Sequence, residues 1–171
     1  NCGNLRSANM SGANISNSYL VESRMYGVDL SGSDLTSTNM SGAFITGEAC
    51  LDEAHLSGAN LRRANISEGS MRKTDFTVAY MRRINLSNAD LTGAILNGAR
   101  LNGAIFEKSL LNGAQLKEAR KIFNSGSRNL DFILPAELES QKELKNVIIP
   151  FFLGTEYSTK LRNFKYADNH I

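Results

Sequence analysis

Large apolar residues fall at every fifth position through most of this chain. The series starts at Leu5 and runs through Met10, Ile15, Leu20, Met25, Leu30, Leu35, Met40 and Ile45. It slips by one residue, resumes at Leu51 and continues unbroken to Leu116. All 23 centres are Leu, Met, Ile or Phe, and they take up all five methionines. A period of five matches neither the 3.6 of an α-helix nor the 2.0 of an extended strand. Two positions before each centre the residue is Ala in thirteen repeats, Ser in four, Thr in two and Gly in two, with Val28 and Ile84 the exceptions. The position between is mostly polar, often Asn or Asp, and the residue two after the centre is Gly in ten repeats. A small and a large inward residue two apart, followed by a corner, describe a very short strand and a turn. Stacked, such units build a narrow coil with the large side chains along its axis.

The A-[DN]-L-x-x pattern of Ala13-Asn14-Ile15-Ser16-Asn17, Ala59-Asn60-Leu61-Arg62-Arg63 and Ala89-Asp90-Leu91-Thr92-Gly93 resembles the pentapeptide-repeat proteins over residues 3 to 118. The resemblance implies an all-β solenoid, a right-handed quadrilateral β-helix of about six coils with four pentapeptides to the coil, roughly 25 to 30 Å long. Between Ile45 and Leu51 one extra residue, at Thr46-Gly47-Glu48, should bulge a single corner without changing which side comes next. That corner is either an insertion absorbed in a turn or a marked place for a partner. The outward position of Phe44 supports the second.

The period ends after Ala119, which divides the chain into a repeat domain, 1–121, and a C-terminal segment, 122–171. Pro135 through Asn146 reads as a short helix, with Glu137 and Glu139 near its start and Lys142 and Lys145 near its end. In the last coils the normally polar outward position becomes Ile95, Ile105 and Leu110, and an open solenoid end leaves strand edges uncovered. The segment supplies Phe132, Ile133, Leu134 and the run from Val147 to Leu153. It is therefore expected to fold back as a partly helical cap over the final coil, within one chain or across a homodimer.

Composition narrows the function. At 42% hydrophobic and 21% charged the chain is an ordinary globular one, and no apolar run approaches the length of a membrane span. A soluble protein is expected. A net charge of +2 argues against both an avid nucleic-acid binder and an acidic mimic of nucleic acid. Cys2 and Cys50 make neither a disulfide framework nor a metal site, and stand about two coils apart, too far to pair. Cys50 and His55 hold outward positions of successive repeats with no further residue spaced to complete a nucleophilic set. No catalytic residue, cofactor or metal is expected. Asn-x-Ser sequons at Asn9, Asn14, Asn39, Asn65 and Asn85 are products of the repeat itself.

Charge placement says more than charge sum. With twenty residues to the coil, Arg62-Arg63 lies directly under Arg82-Arg83, with Tyr80 beside them and Arg72-Lys73 on the opposite side of the rod. Such a stack is either a solvated basic corner or a docking site for a carboxylate- or phosphate-bearing partner. Arg62, Arg63, Tyr80, Arg82, Arg83 and Phe44 are accordingly the candidate partner-binding residues. The favoured reading is a non-enzymatic interaction or scaffold module whose partner is another protein, not a membrane or a nucleic acid. The resemblance implies a bacterial setting, either the cytoplasm or delivery into a host cell. One branch of the family implies an alternative, a DNA-shaped mimic that binds type II topoisomerases. That role needs a strongly acidic surface, which this sequence lacks.

Overall fold

The computed structural model describes residues 3–117 and 119. The expected cap, its helix, the C-terminal dimer contact and the position of Cys2 all lie outside the described residues.

Within them the chain winds as a four-sided parallel solenoid. Bridges join Asn4 to Arg24, Asn9 to Asp29, Asn14 to Asp34 and Tyr19 to Asn39, so each residue meets the one twenty further on. Four columns result, and they define the sides. Side 1 carries Asn4, Arg24, Phe44, Asn65, Asn85 and Ile105, and side 2 Asn9, Asp29, Cys50, Ser70, Asp90 and Leu110. Side 3 carries Asn14, Asp34, His55, Asp75, Ile95 and Gln115, and side 4 Tyr19, Asn39, Asn60, Tyr80 and Arg100.

The very short strand expected for each repeat is shorter still, because each side contributes a single bridging residue and no extended strand forms among the described residues. The turn explains why. In most repeats the small residue three after a centre donates its amide to the centre's carbonyl, as Ala64 does to Leu61 at 3.1 Å and Ala94 to Leu91 at 2.9 Å. This closes a four-residue turn, and the third turn residue has φ between 52° and 71°. A type II turn demands that left-handed conformation, which glycine adopts without strain. Ten corners supply Gly there, while Val78, β-branched at φ 53°, bears the steric cost.

Coils are joined by two bonds per side and one per corner. On side 4 the Leu61 amide donates to the Tyr80 carbonyl and the Tyr80 amide to the Ala59 carbonyl, both at 2.8 Å, and at the following corner Arg63 donates to Arg82 at 3.0 Å. The Asn and Asp side chains before the centres satisfy a further turn amide. All five sequon asparagines do so, accepting from the amide two residues on at 3.0 to 3.2 Å. Their recurrence is thus a turn requirement. The Ser31 amide and then its hydroxyl hold the Asp29 carboxyl below the usual range, and the Thr36 hydroxyl and then its amide do the same for Asp34. Because these folded-state values are depressed, what they add to stability is present above about pH 4 and fades as pH falls through them.

Inside, the centres from Met25 to Leu101 are fully buried, and the small inward residues let the walls approach. Val28 and Ile84 are buried as well. Where a buried small residue is Ser or Thr, its hydroxyl donates to a backbone carbonyl, as Ser33 does to Leu30 at 2.6 Å, Thr74 to Leu51 at 2.6 Å and Ser109 to Leu86 at 2.8 Å. No buried side-chain polar atom among the described residues lacks a partner, so the hydroxyls cost the core little. Toward the first coil burial declines, and Leu5, Met10, Ile15 and Leu20 are only partly covered.

The extra residue stays inside its corner. Phe44 pairs with Asn65 at an offset of 21, Cys50 with Ser70 at 20, and the four columns continue undisturbed. Two successive residues, Gly47 at φ 66° and Glu48 at φ 63°, take the left-handed conformation where other corners use one. The Tyr26 ring lies so close over Gly47 that an added Cβ would stand 2.1 Å from it, and the Arg6 guanidinium sits 5.1 Å from the ring centroid on this same corner. Glycine here leaves room for a ring as well as for a turn.

Candidate functional site

The corner between sides 4 and 1 is built from the two residues after each side-4 centre, and its column reads Val21-Glu22, Ser41-Gly42, Arg62-Arg63, Arg82-Arg83 and Asn102-Gly103. The amide ladder runs through it: Gly42 donates to Arg62 at 2.9 Å, Arg63 to Arg82 at 3.0 Å and Arg83 to Asn102 at 2.9 Å. Four arginines are thereby placed on adjacent coils. They line a cleft of about 110 Å³. No carboxylate lies within ion-pair distance of any of them among the described residues.

The diagonally opposite corner, between sides 2 and 3, makes the contrast. There Lys73 pairs with Glu53 at 3.1 Å and Arg72 reaches Asp90 at 3.8 Å. The two corners have the same backbone, so the difference lies in side chains alone. One pairs its cations with carboxylates, and among the described residues the other does not.

The other candidates flank this corner. Tyr80, on side 4 and 39% exposed, directly precedes Met81 and the upper arginine pair. Phe44, on side 1 and 55% exposed, is one coil nearer the N-terminus, two residues beyond Gly42 and bridged to Asn65. All six candidate residues therefore belong to one stretch of surface. Arg100 also belongs to it and was missed by the sequence reading. Its guanidinium stacks 4.5 Å from the Tyr80 ring centroid, twenty residues on in the same column. The twenty-residue offset was the available signal.

Unwrapped by side, the charges are strongly segregated. Among the described residues, sides 4 and 1 with their shared corner hold Arg24, Arg62, Arg63, Arg82, Arg83 and Arg100 against the single carboxylate of Glu22. Nine of the ten described carboxylates lie elsewhere, among them Asp29, Asp34, Asp52, Asp75 and Asp90. A near-neutral total conceals a polarised rod.

Cys50 on side 2 and His55 on side 3 occupy outward positions on neighbouring sides, and Cys50 is a free thiol. Among the described residues no three His, Cys, Asp or Glu side chains converge on a point where a metal ion would be held.

The pentapeptide repeats family matches the chain in eight copies, over residues 4–42, 47–77 and 79–120. The chain belongs to the pentapeptide repeat family. The break between residues 42 and 47 falls beside the corner that holds the extra residue, where the fivefold spacing is interrupted. Among solved pentapeptide repeat proteins, Rfr23 of the cyanobacterium Cyanothece 51142 aligns at 19% identity and a TM-score of 0.42, over 67% of this chain and 88% of its own. One from the Arabidopsis thaliana thylakoid lumen aligns at 25% identity and a TM-score of 0.24, over 64% and 66%. QnrB1, a plasmid-mediated fluoroquinolone resistance protein, aligns at 18% and 0.29, over 71% and 64%. No curated protein matches the chain. The assignment rests on the repeat, and with it comes the right-handed quadrilateral β-helix of pentapeptide repeat proteins. Among the described residues no helix is long and apolar enough to cross a membrane.

Proposed function

We propose that this pentapeptide repeat protein is a non-enzymatic interaction module whose β-helix, of about six coils, presents the basic corner between sides 4 and 1 to another protein. The observation that carries this reading is the stack of Arg62, Arg63, Arg82 and Arg83, unpaired among the described residues, set against the paired Arg72 and Lys73 on the far corner. Like charges held one coil apart raise the free energy of the isolated rod, and an anionic surface placed over them removes that cost. Phe44 and Tyr80 supply half-exposed aromatic area on either side, of the kind that anchors protein contacts.

The test is capture of partners by the full chain and by a variant with all four arginines changed to Ser. The parent is expected to retain a salt-sensitive partner that the variant loses, while the two melting curves stay nearly superimposed because exposed corner side chains contribute little to folding. An unchanged set of captured proteins would return the arginines to solvated surface.

The charge distribution weighs against the topoisomerase-mimic alternative. A stand-in for duplex DNA needs continuous negative potential, and here the acidic flank is interrupted by Arg72 and Lys73. Purified protein is expected to leave the supercoiling activity of DNA gyrase unchanged. Potent inhibition abolished by Asp29→Lys with Asp34→Lys would reverse the preference.

A further inference from the structure

We propose that the arginine cleft is a phosphate-monoester site, and that the partner segment it takes carries a phosphorylated serine or threonine. This rests on reading the corner as a docking site and adds which anion the site prefers. Arg62, Arg63, Arg82 and Arg83 line a single open cleft of about 110 Å³. That is room enough for a single tetrahedral phosphate group. Charge points the same way. A carboxylate brings one negative charge and two oxygens, whereas a phosphomonoester brings about −1.5 to −2 and three strong acceptors, so it engages more of the four planar forks at once. No protein carboxylate competes for the forks among the described residues.

The surroundings suit a group delivered on a chain. Gly42 and Gly103 stand at the left-handed position of the same corner on the coils below and above the arginines, where neither brings a side chain of its own, and the Glu22 stem lies over Gly42 with its Cγ 3.1 Å from where a Cβ would be. The Arg83 stem lies across the bare turn at Gly103, with Cγ 3.4 Å from where a Cβ would be, which makes that glycine the platform for the side chain. Arg100 is stacked on Tyr80 and stands at the rim.

Fluorescence anisotropy on the full chain decides it, using a labelled Gly-Ser peptide with one phosphoserine and the same peptide with Asp at that place. The phosphopeptide is expected to bind at least about tenfold more tightly, to be displaced by inorganic phosphate, and to lose its advantage in the four-arginine Ser variant. Its affinity should also fall as pH drops from about 7.5 to about 5.5, when the phosphate gains its second proton, with no such fall for the Asp peptide. Equal affinity for the two peptides would overturn the phosphate assignment and leave the corner as a general docking site for acidic proteins. Phosphopeptide binding that survives in the Ser variant would place the site elsewhere, and vesicles bearing phosphoinositide bound in preference to the phosphopeptide would overturn the choice of a protein partner. If neither peptide binds, the assignment fails. The capture experiment above then decides separately whether the corner docks anything.

Discussion

Replacing Phe76 with alanine is expected to lower the unfolding free energy by about 3 to 5 kcal/mol in denaturant melts. Phe76 is among the largest side chains buried completely in the axis. The atoms around it belong to walls fixed by bonds from coil to coil, so the hole left by the ring cannot close. The position along the rod matters as much as the residue. Leu20→Ala removes a side chain that is already partly exposed in the first coil, and its loss should be less than half as large. Melts in which Phe76→Ala costs under about 0.5 kcal/mol, or in which the two variants cost the same, would contradict a continuous axial core whose cover thins at that end.

The second large effect comes from removing one residue at the corner between sides 1 and 2, at either of two heights. Deleting Asn88 takes away a left-handed turn residue that donates to Glu107 at 2.8 Å. A four-residue side cannot both close the turn and return to register, so the following residues slide by one. Asp90 then faces inward and Leu91 outward, and each misplaced centre costs on the order of 2 to 5 kcal/mol, with an unpaired buried carboxylate in addition. The coils beyond that corner should unfold. Deleting Glu48 instead restores the fivefold count, since Gly47 alone can hold the single left-handed position that every other corner uses. That variant should melt within about 1 kcal/mol of the parent. A tolerated loss of Asn88, or a collapse on loss of Glu48, would refute the five-residue side as the unit of this fold.

These contrasts also mark what could be read without coordinates. The inward centres were legible because five residues to a side and four sides to a coil make burial a matter of counting, and the same count stacked Arg62-Arg63 against Arg82-Arg83. The corner at Thr46-Gly47-Glu48 was legible as an insertion, but the Tyr26 ring over Gly47 was not, since it depends on how a side chain leans onto the next coil. The two-sidedness of the charge was equally present in the sequence and is lost in the sum of +2. Only assigning every ion to its column brings it out. Arg100 escapes the sequence reading because its contact with Tyr80 joins residues twenty apart, on neighbouring coils, and depends on where a long side chain lies.

The bonds that bridge one coil to the next run lengthwise, and this gives the rod a mechanical character of its own. A pull on its two ends loads all four sides and all four corners of a coil boundary together, so resistance is shared among a dozen or so parallel bonds. Peeling the chain from one end loads them a side at a time, and each side gives way before the next is strained. The molecule is stiff in tension and weak to unwinding. A surface carried between its ends keeps its geometry under load until the unwinding front arrives.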